Sequence, residues 1–464
     1  MKSLSLAVRT AAIAMALLGL MAIPQPTRTK AHAQSERPNV LIIMTDDQGH
    51  DTLTDQFMPN TKAMIADQGI NFTRAYTSTA LCCPSRASFL TGKYARNHGV
   101  HVNGDTLNGP TIANRLRGSG YYTGLVGKYL NSWPGDARPE YDYWACWKQG
   151  YRNPQMNIYG EDKKIPGYAT YVLRDYAVDF LNSVPDNQPF FLLFTPHAPH
   201  DPATPGPGDE DLYSDLAPWR PPNFNPASQS DKPQWLQQRQ QLSPTEVSEN
   251  VDEFRLKQLR TLHSADLSVR DILNKLREQG KLDNTLVVFY SDNGVFWGEH
   301  RLLHKNHVYE EASRIPFAIR YPLLIAQPRV EDRLIQVVDL APTMYELAGI
   351  SIPSDVDGRS LVSLMSGTTD WRDAILLEGW PGTITSDGAL NGDDAGREAD
   401  DQQNVDIHYK AIRTEQYVYV ETDNDSPELY DTIADPYQMV NLVNNRKLKK
   451  IVKSLRKRLR NGQL

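Results

Sequence analysis

The sequence predicts an α/β fold: a large, mostly parallel sheet flanked by helices, with a smaller C-terminal α+β subdomain. Three observations carry this. Apolar runs are continuous rather than alternating, as in strands buried on both faces. They are separated by stretches of helical period. After about Gly367 the texture changes to alternating strands and turns. The 464 residues, 40% hydrophobic and 23% charged, supply material for one large domain and a smaller one.

The elements follow in order. Lys2 and Arg9 flank an apolar run, "TAAIAMALLGLMAIP" (10–24), and "AHA" (31–33) offers small residues for cleavage, so 1–33 reads as a signal peptide. The main domain is expected over 34–367. "PNVLIIMTDDQG" (38–49) reads as a strand ending in Asp46-Asp47, and "TGLVGKY" (123–129) as one ending in Lys128. "QPFFLLFTPHAPH" (188–200) ends in His197 and His200, and "NTLVVFYSDNG" (284–294) in Asp292-Asn293. "RIPFAIRYP" (314–322) is a fifth run. Leu256, Leu259, Leu262, Val269, Leu273 and Leu276 recur at helical spacing before Gly280. "VVDLAPTMYELAGI" (337–350) reads as a helix with Asp339 as its cap. Residues 201–250, rich in Pro, Gln, Ser and Asp, read as a long surface insertion near the site. In the subdomain, 368–464, "YKAIRTEQYVYVET" (409–422) alternates, and 380–406 reads as an acidic loop. The run "RKLKKIVKSLRKRLR" (446–460) reads as a terminal helix docked by its apolar stripe with its charges solvated.

The formal net charge is −7; loss of residues 1–33 takes away Lys2, Arg9, Arg28 and Lys30 and no acid, leaving 45 basic against 56 acidic residues. That balance argues against a nucleic-acid partner. No stretch of the mature chain is apolar enough for an integral membrane span. The expected location is secreted or periplasmic. Three cysteines are an odd number for an exported chain, and whether Cys83 and Cys146 pair is not readable.

In parallel sheets the ligand site lies beyond the carboxyl ends of the strands. Asp46, Asp47, Lys128, His197, His200, Asp292 and Asn293 each follow an apolar run and so converge on one edge. Three carboxylates and an amide oxygen are hard ligands, suited to Ca²⁺ or Mg²⁺. Helix-cap and tight-turn roles are the alternative for each pair. "TSTALCCPSRASFLTG" (77–92) places Cys82 and Cys83 at the start of a helix opened by Pro84 and closed by Gly92, beside Arg86. A helix N-terminus and a guanidinium bind an anion and lower a cysteine pKa. Adjacent cysteines do not have zinc-ligand spacing.

The stretch "CCPSRASFLTGKY" resembles the Cys-x-Pro-Ser-Arg motif of type I, formylglycine-dependent sulfatases, of the alkaline phosphatase superfamily. "TDDQG", "VGKY", "PHAPHDP", "SDNGVFWGEHRLLHK" and "ELYD…ADPYQMVNL" extend the resemblance over nearly the whole mature chain. It implies that a formylglycine-generating enzyme converts Cys82 to an aldehyde held as its hydrate. One hydroxyl of the hydrate attacks sulfur, and deprotonation of the other expels the covalent sulfate. It further implies that Asp46, Asp47, Asp292 and Asn293 hold Ca²⁺, which binds that hydroxyl at position 82 and a sulfate oxygen. Arg86 would stabilise the hydrate, Lys128 and Lys305 would contact the sulfate, and His200 with Lys305 would protonate the leaving alcohol.

One departure concerns the second step. Many members carry a histidine two residues beyond the lysine that matches Lys128, where this chain has Leu130, followed by Asn131. His98 and His304 are the remaining candidates for that base, while Trp297 and His300 are candidates for the substrate mouth. The doubled cysteine and "GKY…NHGV" look most like members that remove 6-O-sulfate from N-acetylglucosamine, so the expected partner is a sulfated small molecule or glycan. Rival expectations are a phosphonate monoester or phosphodiester hydrolase using the same aldehyde, and a non-catalytic protein that keeps the fold.

Overall fold

The computed structural model describes residues 37–131, 133, 135–368, 370–381 and 407–462, so the leader read at 1–33 and nearly all of the loop read at 380–406 lie outside the described residues. The fold is α/β, and its main sheet has ten strands. In chain order they are β1 (Asn39–Thr45), β2 (Ile70–Phe72), β3 (Tyr122–Lys128), β4 (Tyr143–Gln149) and β5 (Gln155–Ile158). Next come β6 (Glu161–Lys164), β7 (Phe190–Thr195), β8 (Thr285–Ser291), β9 (Phe317–Arg320) and β10 (Arg329–Glu331). Their spatial order is β10-β2-β9-β8-β1-β7-β3-β4-β5-β6. The central run β8-β1-β7-β3-β4 is parallel throughout.

Burial on both faces explains the continuous apolar sequence of the central strands. Along β1, Val40, Ile42 and Met44 enter one core and Leu41 and Ile43 the other, as a period of two requires. The first core is roofed by helix α1 (Cys82–Thr91) and the second by α2 (Ala169–Ser183) and α3 (Phe254–Glu278). Gly92 ends α1 in the left-handed conformation, φ 72°. The fifth apolar run departs from a parallel reading: β9 pairs antiparallel with both β8 and β2. Its two buried faces hide strand direction from the sequence. Asp339 holds the expected N-cap position, but its side chain caps the preceding turn rather than the helix it opens. It ends a 3₁₀ turn before α4 (Leu340–Leu347), and its carboxylate accepts from the N–H groups of Gln336 and Arg359 and pairs with Arg372.

Beyond the main sheet, β11 (Ala374–Gly379), β12 (Tyr409–Thr414), β13 (Tyr417–Thr422) and β14 (Glu428–Asp431) form a four-stranded antiparallel sheet. The terminal helix α5 (Lys449–Asn461) buries Val452, Leu455 and Leu459 with Ile412 and Tyr419 of that sheet. No helix among the described residues is long and apolar enough to cross a membrane.

Candidate active site

Strand register brings the two acidic pairs together. β1 and β8 run parallel with Thr45 opposite Ser291, so the residues that follow, Asp46-Asp47 and Asp292-Asn293, leave adjacent strand ends side by side. The contacts confirm it: Asp47 N–H donates to Asp292 Oδ1 (3.3 Å), and Asn293 Nδ2 donates to Asp47 Oδ1 (2.6 Å). Asp47 sits at φ 59°, a left-handed turn that Asp tolerates. On the other side of β1, β7 leads to His197 and His200, and β3 to Lys128. Gly127 permits that last approach, because a Cβ there would lie 2.0 Å from the Thr195 carbonyl oxygen.

Cys82 opens α1 and is 1% exposed. Its Sγ lies 3.2 Å from Lys305 Nζ and 3.5 Å from Asp46 Oδ1. One turn on, Arg86 pairs with Asp292 (Nε–Oδ2, 2.7 Å) and Asp46 (3.3 Å) and donates to the Lys128 carbonyl (2.8 Å). Lys128 Nζ is 2.9 Å from Asp46 Oδ2. Lys305 Nζ is 2.5 Å from Asp47 Oδ2 and 3.2 Å from His200 Nε2. The other His200 nitrogen, Nδ1, faces the Asp201 carbonyl at 2.9 Å. The residues to which the resemblance assigns a catalytic or metal-binding role therefore fall in one buried cluster: Asp46, Asp47, Cys82, Arg86, Lys128, His200, Asp292, Asn293 and Lys305.

Burial works against the charge on Asp46, yet Lys128 and Arg86 hold its carboxyl well below the usual range. Asp292 is pushed up to about 6 by burial and by Asp46 and Asp47, with Arg86 opposing. Cys82 corrects an expectation. Burial pushes its thiol well above the ordinary value, and Lys128 and Lys305 offset this only in part. The helix-terminus argument omitted desolvation, which penalises a buried thiolate. None of the three cysteines forms a disulfide. Cys83 Sγ instead accepts from the Asn131 N–H (3.1 Å).

The donor set fits a hard divalent cation. One ligand atom each from Asp46, Asp47, Cys82 and His200 lie within 4.8 Å of one another. Asn293 Oδ1 is buried with no hydrogen-bond partner, whereas Asp46 Oδ2 faces Lys128 at 2.9 Å and Arg86 at 3.3 Å. A buried amide oxygen left unpaired is costly unless something positive binds it. Asp292 is more committed, since Oδ1 accepts from two backbone N–H groups and Oδ2 from Arg86.

Several histidines sort differently from their sequence readings. His197, which the sequence places on the same edge without a role, enters the cluster, with Nδ1 3.4 Å from Asp46 Oδ2 and its ring stacked on Trp147 at 4.0 Å. His98 bonds Ser88 Oγ (3.1 Å) and accepts from the Val100 N–H; burial pushes it down to about 4. His304 closes a short hairpin, Phe296–Trp297 with Leu303–His304, and its ring lies 6.2 Å from Phe254. His300 stacks on Tyr309 and meets Asn223. Leu130 belongs to the apolar core. Gln258 of α3 escaped the sequence reading. It accepts from Trp297 Nε1 (2.6 Å) and donates to the carbonyl oxygens of Asp47 and Pro199 (3.2 Å each). A single polar residue on a mostly polar helix gives no signal that it is buried. The 201–250 insertion reaches this wall: Phe224 and Trp219 pack beside Trp297, and Arg255 lies 4.9 Å from both tryptophan rings.

An α/β sheet whose strand ends gather a helix-opening cysteine, three carboxylates and three cations defines a class of ester hydrolase scaffold. The model of the Sulfatase family matches residues 38–350, and the chain belongs to that family. It is 33% identical over 385 residues to an extracellular sulfatase SULF-1 homolog of Drosophila melanogaster, covering 76% of this chain and 34% of that protein. It is 32% identical over 388 residues to human N-acetylglucosamine-6-sulfatase, covering 75% and 68%. The chain thus spans about a third of the length of the fly relative. A solved structure in complex with its substrate D-glucosamine-2-N,6-O-disulfate superposes with a TM-score of 0.77 at 26% identity, covering 92% of this chain and 97% of that one.

Proposed function

We propose that this chain is an exported sulfatase that hydrolyses sulfate esters of sulfated carbohydrate, of the N-acetylglucosamine-6-sulfate kind, with Cys82 matured to formylglycine as the nucleophile. The observation that carries the reading is the position of Cys82: first residue of α1, within the Cys-x-Pro-Ser-Arg motif, 3.2 Å from Lys305 and 3.5 Å from Asp46. The family membership supports the reaction type. The sugar class is supported by the human relative and by the glucosamine disulfate that the solved structure binds.

Asp46, Asp47, Asp292 and Asn293 would hold Ca²⁺ (or Mg²⁺), which would supply positive charge to polarise the ester. The chain's own residues do the rest. Asp46, Asp47 and Asp292 are balanced by Arg86, Lys128 and Lys305, so a bound divalent cation leaves the site positive by two, matched to a sulfate group in transit. Arg86, fixed by two carboxylates and a carbonyl, orients the group at position 82. Lys128 and Lys305 contact the sulfate oxygens. His200, with Nδ1 anchored on Asp201, presents Nε2 beside Lys305, and this pair protonates the leaving alcohol. The aldehyde at position 82 supplies a hydrate with a second hydroxyl, which a thiol lacks.

Peptide mass spectrometry over residues 78–93 tests the maturation: conversion of thiol to aldehyde lowers the mass by about 18 Da, from the atomic masses of the oxidation. An unmodified peptide in fully active protein would refute the mechanism. Rates on 4-nitrophenyl sulfate against an aryl phosphonate monoester test the reaction, and a strong phosphonate preference would transfer the assignment to the phosphonate hydrolases. Cys82→Ala protein as active as wild type on both esters would leave only a binding role.

A further inference from the structure

Helix α5 carries charge of the opposite sign to the chain as a whole. From Arg446 to Gly462 there are nine basic residues and no acidic one, in a protein of net charge −7. At ~100° per residue, Arg446, Lys449, Lys450, Lys453, Lys457 and Arg460 fall within an arc of roughly 100° along about 20 Å of helix. The apolar stripe faces the other way and is consumed by β12 and β13. Three arginines bind the helix to the body: Arg456 and Arg460 pair with Glu421, and Arg458 with Asp373. The remaining cations do not. Lys449, Lys450, Lys453 and Lys457 are exposed, and among the described residues they make no ion pair with an acid.

The stripe runs into a cleft at the C-terminal end of α5. This cleft, of about 540 Å³, is lined by Arg460, Lys410, Arg96 and His408, with Glu421 and Asp423 as counter-charges. Beside it, Trp380 stacks on His101 (4.3 Å, 15°) and lies 5.7 Å from His408. Two residues past His101, Asn103 Oδ1 accepts from the Cys83 N–H at 3.0 Å. Contacts and a two-residue step along the chain thus link the residue next to Cys82 to an aromatic platform, then to a basic cleft, then to a basic helix face.

We propose that α5 and this cleft form a docking site for a sulfated polysaccharide, holding sugar units beyond the one whose ester is cleaved; the ligand class rests on the sulfatase reading above. The shape favours a glycan over an anionic bilayer. The apolar side chains of α5 face inward and leave nothing to insert into lipid, whereas a walled cleft with an indole beside it accepts a sugar ring and its sulfate. A row of ammonium groups spaced one helical turn apart reads a repeating anion without demanding one conformation.

The test uses full-length protein and heparin as the sulfated polysaccharide. Affinity is measured at 0.1 M and 0.5 M NaCl, and kcat/KM is measured on 4-nitrophenyl sulfate. The variant Lys450→Glu/Lys453→Glu/Lys457→Glu is expected to bind heparin at least tenfold more weakly at low salt, with kcat/KM on the small ester within twofold of wild type. The wild-type affinity itself should fall steeply at the higher salt. A matching Lys→Gln triple keeps the helix contacts and should show a smaller loss in the same direction; a Lys410→Gln variant should weaken binding through the cleft. Unchanged heparin affinity in the triple variants overturns the proposal. So does binding to phosphatidylserine vesicles with no affinity for heparin. Protein that binds heparin through α5 yet cleaves no sulfate ester would leave the docking site standing and sink the sulfatase reading instead.

Discussion

Replacing Glu311 by Gln should make the fold more stable, and only above about pH 5. Glu299 is buried against Trp297, and Glu311 is half-buried beside Asn223. Burial pushes Glu311 up to about 8, with the charge of Glu299 adding to the shift, and pushes Glu299 up to about 7, with Asp51 adding to it. Glu311 Oε1 accepts from Asn223 Nδ2 at 2.7 Å, while Oε2 is buried without a partner. An acid whose folded-state pKa is raised keeps its proton more tightly in the native state. It therefore costs nothing below the unfolded value near 4.5 and costs progressively more as pH rises toward 8. At about 1.4 kcal/mol per pH unit, that cost is ~1 kcal/mol at pH 5 and ~4 kcal/mol at pH 8. Glu311→Gln keeps the acceptor for Asn223 and removes the titration. Urea unfolding of both proteins at pH 5, 6.5 and 8 should show the variant gaining roughly 3 kcal/mol over wild type across that range. A difference between the two that stays constant with pH would refute the linkage, and a variant less stable at pH 8 would refute the geometry.

Other expectations follow from single contacts. Asn293→Ala removes the orphaned amide oxygen, so added Ca²⁺ should raise the thermal midpoint of the variant much less than that of wild type, with EDTA as the baseline; equal shifts would remove Asn293 from the metal site. Gln258→Leu leaves the Trp297 indole N–H and the Asp47 carbonyl without their partner, a loss of about 2 kcal/mol with a fall in kcat, read by unfolding and by turnover of a sulfate ester; an unaffected enzyme would show that this bridge positions nothing. Gly127→Ala drives a Cβ to 2.0 Å from the Thr195 carbonyl oxygen and should abolish soluble expression, while Gly104→Ala, where nothing lies within 4 Å, should not.

The parts of the site that were legible in the sequence share one physical property. Asp46, Asp47, Asp292 and Asn293 sit immediately after strands whose apolar runs are unmistakable, and parallel register then carries them to a fixed place. Thr45 opposite Ser291 is enough to bring Asp46-Asp47 against Asp292-Asn293 across a gap of more than two hundred residues. Cys82 and Arg86 were legible for a related reason, since one helical turn between them forces both onto the same face at a marked helix start. What was hidden depends on tertiary placement. Antiparallel β9 looks like any buried strand, and Gln258 looks like any polar helix position. The Cys82 thiol illustrates the limit most clearly, because the charges near it were readable and the burial that outweighs them was not.

The same contrast accounts for His197. Its sequence neighbourhood, two prolines and a second histidine, says only that the chain turns after β7. Packing decides the outcome: Trp147, from the next strand but one, stacks on the ring and leaves Nδ1 facing Asp46 Oδ2 at 3.4 Å. Trp147 in turn stands opposite Lys128 in the β3–β4 register. The three strand ends therefore hold Asp46 from separate directions, Lys128 by charge and His197 by a ring that Trp147 fixes. With Leu130 in the apolar core, the imidazoles that His197 and His200 bring to Asp46 and Asp47 come from the β7 loop rather than from β3.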